Sequence, residues 1–493
     1  MTKVKDSLRY LFYFLTGCMY LGIVADVVIN PKLSFFHTKI ALLLPMIAGV
    51  AAVVMVAVFV CKKIKNKKLL LISLSAILVL LQAVTIRYLA VNYTVESWDM
   101  GVVYNAAQYF VENNSFDMGK YDYFLWFPNN SPLYNIFVII FKVFSAVGIK
   151  NTQLALNVFN AALLFFSAWL TEKSSQLLAG EEYTGVGLML CVALCPFSLY
   201  AVLAYTDTFS MIFLALALYF YIRKMKNKGN YWVNLRAFSL FIAVGASMKV
   251  SVLVIAIAAI IDLFIGKEDV AKRAISLVLV MVISIGGFSA LKNMHENSPF
   301  LPEYDYNYTI PYTHWVMMGL NGLGGYCDDD YQLITLQHPD KQSRQAANID
   351  EIINRIEEKG AVGMVHHVAN KLSFIYGDGT FTASQKLDRA AVKGSALHNY
   401  IIYVADGYKY LGYSSLAYFM AILMFISIGM FIAIKRKNTS LVMLALSLVG
   451  VTCFLILWEA RTRYILNFLP VFVVLAVFGI KSIFSLMKKE ENS

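Results

Sequence analysis

The chain has 493 residues, of which 59% are hydrophobic and 15% are charged. Soluble globular chains contain about 45–50% apolar and about 25% charged residues. This composition, with a mean hydropathy of +0.62, excludes an ordinary soluble enzyme, a disordered protein and a nucleic-acid-binding module. The net charge is +11, and in a membrane protein such a surplus of Lys and Arg belongs to the cytoplasmic loops. Five of the six cysteines lie in apolar runs, a spacing that indicates neither a disulfide framework nor a metal cluster.

The first apolar segment follows a basic N-terminus and is interpreted as a membrane span, because no signal-peptide cleavage pattern follows it. A bilayer crossing takes about 20 mostly apolar residues. Twelve segments fit, at 10–30, 39–61, 69–91, 132–149, 154–172, 185–204, 207–223, 235–265, 274–291, 412–434, 439–458 and 464–486. The predicted fold is therefore an all-α polytopic membrane protein with 12–14 transmembrane helices.

The basic turns predict which side of the membrane each loop faces. Those at 62–68, 267–273 and 435–437, and the tail at 488–489, are predicted to be cytoplasmic, as are both termini. The chain then divides into an N-terminal helix pair (1–68), a transmembrane module (69–291) that contains a first outer loop (92–131), a large outer loop (292–411) and C-terminal helices (412–493). Long loops rich in aromatic residues are typically ordered and functional, so we expect the site on the outer face.

Two apolar segments, 185–204 and 235–265, are predicted to be broken rather than to cross the membrane once. Pro196 interrupts the first, and the second is 31 residues long with Lys249 in its middle. Single crossings would place the basic stretch 223–236 outside, whereas broken segments keep it cytoplasmic. The broken version is favoured.

The first outer loop begins with a carboxylate beside an aromatic residue, Trp98-Asp99, directly before an amphipathic stretch. Asp99 is either the N-cap of a surface helix or a carboxylate base at the lipid–water boundary. The loop closes with prolines and aromatic residues at 121–134, which indicate either a fixed re-entry into the membrane or an interfacial aromatic belt.

The strongest polar signal near a span is Trp458-Glu459-Ala460-Arg461-Thr462-Arg463-Tyr464. Arginine presents a planar fork of donors suited to phosphate, which favours a phosphate site at Arg461 and Arg463. The alternative is an internal Glu459–Arg463 ion pair that anchors the helix end.

Three further charged residues lie at or inside apolar segments. Lys249 is a functional candidate, with a snorkelling lysine as the alternative. Asp207, after Tyr205 and Thr206, is interpreted first as an anion in a helix N-terminal turn. Arg87, near the outer end of the third span, either reaches the same site or snorkels.

The large outer loop contains His314-Trp315 and an acidic triplet at 328–330. The triplet is interpreted as a solvated turn, with a divalent-cation site as the alternative. The nearby glycines lack the dinucleotide-binding pattern, and His366-His367 has the wrong spacing for zinc, so no metal site is predicted. Residues 341–359 are predicted to form a polar helix.

Taken together, these features resemble the GT-C glycosyltransferases, a superfamily that includes the protein O-mannosyltransferases and the lipid A aminoarabinose transferase. The resemblance rests on Asp99 in the first outer loop, the proline and aromatic residues that close that loop, Tyr205-Thr206-Asp207 before a span, Lys249 in a broken run, and Arg461-Thr462-Arg463-Tyr464 at the last span. The segments that begin at His314 and Trp458 look like those of family-39-type membrane proteins of Gram-positive bacteria.

The resemblance implies an inverting transfer of a sugar from a polyprenyl-phosphate donor to an extracytoplasmic polysaccharide, teichoic acid, glycolipid or protein. Asp99 would be the general base, and Arg461, Arg463 and Lys249 would bind the donor phosphate. The residues expected to line the site are Trp98, Tyr205, Asp207, Arg87, His314 and Glu459. No cofactor is implied, because the lipid phosphate is the leaving group. The alternatives are a transporter or flippase of lipid-linked sugars, a polysaccharide polymerase or ligase, and an assembly protein without catalysis.

Overall fold

The computed structural model describes residues 2–30, 39–303, 305–391 and 395–490, and within them the regular elements are helices joined by turns and loops. Val91 and Ala391 form an isolated β-bridge. In chain order the helices are α1 Thr2–Ile29, α2 Ile40–Lys63, α3 Lys67–Tyr88, α4 Asp99–Asn113, α5 Tyr123–Trp126, α6 Ser131–Ala146, α7 Thr152–Ala179, α8 Val186–Ala193, α9 Pro196–Leu199, α10 Thr206–Met225, α11 Tyr231–Met248, α12 Leu253–Phe264, α13 Val270–Val280, α14 Gly287–Glu296, α15 Thr313–Gly319, α16 Lys341–Tyr376, α17 Ala383–Arg389, α18 His398–Ile401, α19 Tyr408–Lys435, α20 Val442–Leu457 and α21 Leu469–Glu490. The predicted all-α polytopic membrane fold is confirmed.

Eight helices in the described ranges are long and apolar enough to cross a membrane, and a bent pair makes a ninth. They are α1, α2, α3, α7, α10, the continuous rod Val270–Glu296, α19 and Thr462–Met487. The remaining predicted segments also fold as helices, but α6, α11, α12 and α20 are shorter or less apolar than a full span requires. The count by length is therefore lower than the 12–14 expected from the sequence.

Both segments predicted to be broken are broken in the structure. The first bends by 68° between Ala193 and Pro196, because Pro196 has no N–H to continue the helix. In the second, α11 ends at Met248, Lys249 adopts extended backbone angles (φ −152°, ψ 110°), and a short turn leads into α12. The second break leaves Lys249 between the two helices.

Buried polar side chains satisfy backbone groups at the start of α8 and beside the first break. Glu172 on α7 accepts the backbone N–H groups of Gly185 and Leu188 at 2.7 and 3.1 Å, at the start of α8. Gln82 donates to the carbonyl of Phe197 at 2.9 Å. Unpaired backbone groups are costly away from water, so these contacts explain how an irregular segment is stable inside the bundle.

The basic turns gather at one end of the bundle. Lys481 on α21 interacts electrostatically with Lys226, Glu182 and Arg436, so the turns after α10 and α19 lie together. Lys62 lies 3.5 Å from Glu182 in the same region. The side chains at 488–489 lie outside the described part of the chain.

The opposite end of the bundle carries the two large loops. The 20-residue helix α10 is about 30 Å long and separates Asp207 in its first turn from Lys224 in its last. Lys224 interacts with Asp262, Glu268 and Lys272 of the basic end. Asp207 therefore lies a membrane thickness away from the basic turns.

The predicted polar helix at 341–359 is the first half of a longer helix, α16, which kinks at Gly360 and continues into the bundle. Its C-terminal Tyr376 bonds to Thr452 of α20 at 2.7 Å between the hydroxyl oxygens. The following turn is organised by the buried Asp378, which accepts the backbone N–H groups of Thr380 and Thr382 at 2.8 and 2.7 Å. This turn sets the direction of α17.

Candidate functional site

A cavity of about 540 Å³ lies where the two large loops meet the bundle. Nine of the ten sequence-predicted site residues line it: Trp98, Asp99, Tyr205, Asp207, Lys249, His314, Glu459, Arg461 and Arg463. The exception is Arg87, which is exposed at the end of α3 and has its guanidinium carbon 5.3 Å from the centre of the Tyr88 ring. Arg87 lies near the end of α3, as predicted, but its side chain packs along its own helix and does not enter the cavity.

Asp99 is the first residue of α4, one position inside the N-cap, which is Trp98. The Tyr205 hydroxyl donates to Asp99 Oδ2 at 3.1 Å, and Tyr123 interacts with the same carboxylate. Burial raises the pKa of both tyrosines well above their usual range, so both hydroxyls stay protonated. Asp99 itself is half-buried and opens on the cavity. It is thus a carboxylate held in place by aromatic hydroxyls.

Asp207 joins two cations that the sequence had suggested for phosphate binding. It forms a short ion pair with Lys249, and its second oxygen lies 3.5 Å from Arg463 Nε. Asp207 is 1% exposed, so the pairing takes place largely away from water. The carboxylate links the N-terminus of α10, the break after α11 and the entry to the last span.

The alternative of a Glu459–Arg463 ion pair is not what the structure contains. Glu459 instead accepts a hydrogen bond from the Tyr464 hydroxyl at 3.0 Å, while Arg463 faces Asp207. Burial raises the pKa of Glu459, with the Tyr464 hydrogen bond and Arg461 opposing that shift. Arg461 has its guanidinium carbon 5.4 Å from the centre of the Phe374 ring and also lines the cavity.

Sequence reasoning missed Lys386 on α17. Its ammonium lies 4.1 Å from the centre of the Trp98 ring, and it interacts electrostatically with Arg463, Arg389, Asp99 and Arg461. Burial lowers the pKa of Lys386 well below its usual range, and the neighbouring guanidinium groups add to that shift. The spacing of Lys386 and Arg389, which places both on one helix face, was the available signal.

Lys371, also missed, fixes the segment that carries Glu459 and Arg461. Its ammonium donates to the carbonyl oxygens of Gly319 at 2.6 Å and Ile456 at 2.9 Å. The backbone N–H of Ala460 donates to Gly324 at 2.7 Å. The glycine-rich turn at 319–325 therefore packs closely against the 456–461 segment. This close approach explains why glycines occur in the turn.

The cavity carries a net positive formal charge. Its described lining contains the six basic side chains Lys249, Lys292, Lys386, Arg389, Arg461 and Arg463 against the four carboxylates Asp99, Asp207, Glu296 and Glu459. Opposite charges attract strongly in such a partly dry site, so the balance favours an anionic ligand.

The acidic triplet at 328–330 does not form a cluster. Asp330 receives two hydrogen bonds of 2.8 Å from Arg355, and Tyr326 donates to Asp328 at 2.9 Å. Within the described ranges, no group of three or more His, Cys, Asp or Glu side chains is placed to hold a metal ion.

Fold and site together define an all-α polytopic membrane protein with a charged cavity at one end of its bundle. The family model described as "Conserved hypothetical integral membrane protein" matches residues 1–484. The chain belongs to that family. No curated protein and no solved structure matches the chain significantly.

Proposed function

We propose that the protein is an integral membrane glycosyltransferase that moves a sugar from a polyprenyl-phosphate donor to an extracytoplasmic acceptor. The observation that carries the proposal is the cavity shared by Asp99 and the basic residues Arg461, Arg463, Lys249 and Lys386. A base for an acceptor hydroxyl and donors for a phosphate leaving group have to act within one site.

The arrangement of charge supports a cavity on the outer side of the membrane. Basic turns lie at the opposite end of the bundle from Asp207, and an excess of Lys and Arg marks cytoplasmic loops. This assignment makes the termini cytoplasmic and gives the site access to cell-envelope acceptors.

The cavity lining also supports a lipid-linked donor. Beside Lys249 it includes the apolar residues Met248, Val250, Phe288 and Phe454, which belong to membrane-level helices or to the break after α11. Prenyl chains bind through apolar contact, and the adjacent cations would hold the phosphate. Arg463 Nη1 is buried without a hydrogen-bond acceptor in the described residues, as expected of a donor that awaits an anion.

In the proposed reaction, Asp99 removes the proton from an acceptor hydroxyl while the hydroxyl oxygen attacks the anomeric carbon of the donor sugar. The bond between that carbon and the phosphate oxygen breaks, and its electron pair leaves with the lipid phosphate. Attack from the side opposite the phosphate inverts the anomeric configuration. Arg461 and Lys386 stabilise the charge that develops on the departing phosphate.

Sugar transfer by purified protein in liposomes tests the proposal, with radiolabelled sugars on a panel of polyprenyl phosphates. Asp99→Asn should lower the transfer rate by about 10²-fold or more and leave donor binding intact, since general-base contributions have that size. Glu96→Gln is the matched control, because Glu96 is an exposed carboxylate in the same loop. Undiminished transfer by Asp99→Asn would refute the base assignment.

The phosphate assignment has its own test. Arg461→Ala should weaken the binding of a polyprenyl-phosphate sugar by about 1 kcal/mol or more, beyond the loss expected for a surface charge. Unchanged affinity would reject this role.

A flippase of lipid-linked sugars is the second candidate, because the cationic cavity beside apolar lining also suits the headgroup of such a lipid. A flippase should move a fluorescent polyprenyl-phosphate sugar across the liposome bilayer, and the Asp99→Asn variant should move it equally well. Transfer without translocation favours the enzyme.

A further inference from the structure

The outer wall of the cavity carries a stack of aromatic rings next to a histidine. Trp315 and Trp458 are parallel within 7°, with ring centres 5.6 Å apart. Tyr312 lies 6.2 and 6.0 Å from the two indole rings, and Phe454 lies 5.3 Å from Trp458. Both tryptophans are half-buried, and Trp458 stacks with Phe454 as well as with Trp315.

The hydrogen bonds behind His314 determine which of its nitrogens carries the proton. The Thr335 hydroxyl donates to Asn348 Oδ1 at 2.9 Å, and Asn348 is oriented by its own amide, which donates to Thr313 at 3.4 Å. Thr335 has a single hydroxyl proton, so its oxygen must accept the 2.7 Å hydrogen bond from His314 Nδ1. The proton is therefore on Nδ1, and Nε2 carries a lone pair.

His314 lines the cavity, although the residue is only 1% exposed, and Nε2 is the ring nitrogen left for a ligand. No hydrogen bond engages Nε2 among the described residues. Burial lowers the pKa of His314 to about 4, which keeps the ring neutral at physiological pH. A neutral Nε2 accepts a hydrogen bond and does not attract a phosphate.

This wall connects to the carboxylate of Asp99. Phe127 lies 6.4 Å from Trp315 and 5.0 Å from Tyr123 between ring centres, and Tyr123 interacts with Asp99. The wall therefore extends from the carboxylate that would receive the acceptor proton, on the loop side of the cavity.

We propose that His314, Trp315 and Trp458 form a subsite for a sugar ring of the acceptor, so that the acceptor is a glycan and not a protein. The apolar face of a sugar ring packs on the half-buried aromatic wall beside Trp315, while a ring hydroxyl donates to Nε2. A prenyl chain would leave Nε2 without a donor, and a peptide has no comparable flat face with hydroxyls at its edge. This inference rests on the proposed transfer reaction.

The experiment measures binding of full-length protein in lipid nanodiscs to immobilised free glycans and, separately, to immobilised Ser- and Thr-containing peptides, without any donor. Wild-type protein should bind a subset of free glycans and none of the peptides. Trp315→Ala and His314→Phe should each lower glycan affinity about tenfold, with His314→Gln partly restoring it, because Gln offers an acceptor at similar reach. His366→Phe and Trp232→Ala are the controls, since His366 is exposed on α16 and Trp232 lies at the far end of the bundle.

Decaprenyl phosphate binding, measured in parallel, separates the two proposals. If wild-type protein and all variants bind decaprenyl phosphate but wild type binds no free glycan, the subsite inference fails and the proposed function stands. Peptide binding that depends on Trp315, or glycan binding unaffected by Trp315→Ala, also overturns the inference. If wild type fails to bind decaprenyl phosphate, the proposed donor is wrong. A thermal melt shows whether His314→Phe is folded. If it is unfolded, the glycan affinity of Trp315→Ala decides the test.

Discussion

Replacing Asp207 with Asn removes a carboxylate that contacts Lys249 and Arg463 at once. Asp207 is 1% exposed, and the side chains of the two cations are 15% and 9% exposed. Removing one partner of a buried ion pair costs about 3–5 kcal/mol, because the remaining charge is left without compensation. Here two cations lose compensation, so we expect Asp207→Asn to lower the free energy of unfolding by about 4 kcal/mol or more.

Replacing Lys249, one of the two cations, should lower the free energy of unfolding by less. Lys249→Met leaves Asp207 paired with Arg463, so one hydrogen-bonded contact between charges is lost, worth about 1.5–3 kcal/mol. The expected order of stability is wild type, then Lys249→Met, then Asp207→Asn. Unfolding in mixed detergent micelles measures it, with Asp350→Asn, an exposed carboxylate on α16, as the control.

Ligand binding gives a second readout of the same variant. A bound phosphate would replace part of the lost negative charge, so decaprenyl phosphate should stabilise Asp207→Asn more than wild type. Ligand at 100 times its Kd stabilises by about 2.7 kcal/mol, which is large enough to detect. Asp207→Asn within about 1 kcal/mol of wild type would refute the view that Asp207 neutralises both cations.

Three further outcomes are expected. Lys386→Met should lower affinity for decaprenyl phosphate about tenfold. The control Lys409→Met, which removes an exposed lysine at the start of α19, should not change it. Equal affinities of the two variants would show that Lys386 is not part of the phosphate site. Burial lowers the pKa of Lys371 to about 7, so between about pH 7 and 10 the unfolded chain binds more protons there than the folded chain. Stability of wild type relative to Lys371→Met should therefore rise with pH across that window, and a flat difference would contradict the assignment. Arg87→Ala should leave donor affinity unchanged, since Arg87 packs on Tyr88 outside the cavity; weaker binding would place it in the site after all.

Much of the fold was predictable because apolar length and proline act locally. The apolar run interrupted by Pro196 and the 31-residue run containing Lys249 predicted two breaks, and both are present. The helix at 341–359 was found but cut short, because the continuation past Gly360 is stabilised by contacts of Tyr376 with α20 that local sequence does not reveal. Among the described residues, eight helices, or nine with the bent pair, have the length and composition of a full span, which is fewer than the predicted 12–14.

Sequence patterns predicted which residues belong to the site better than they predicted which of those residues pair with each other. Charged residues at the ends of apolar runs stand out, which is why Asp99, Asp207, Lys249 and Arg463 were identified. Lys386 and Lys371 lie in polar sequence, where a lysine is unremarkable until the fold buries it. Proximity in sequence also suggested Glu459 as the partner of Arg463, whereas the fold supplies Asp207 from more than 250 positions away.

That long-range pairing has a consequence for the chemistry. Asp207 reduces the charge that Lys249 and Arg463 present to the cavity, so those two residues serve the packing of three elements as well as any ligand. The Arg461 guanidinium lies beside the Phe374 ring, and the Lys386 ammonium lies beside the Trp98 ring. The division predicts that substitutions at Arg461 and Lys386 affect ligand affinity with little change in stability, and that substitutions at Lys249 and Arg463 affect both. Measuring unfolding and decaprenyl phosphate affinity for all four variants tests it, and a loss of stability in Arg461→Ala equal to that in Lys249→Met would show that no such division exists.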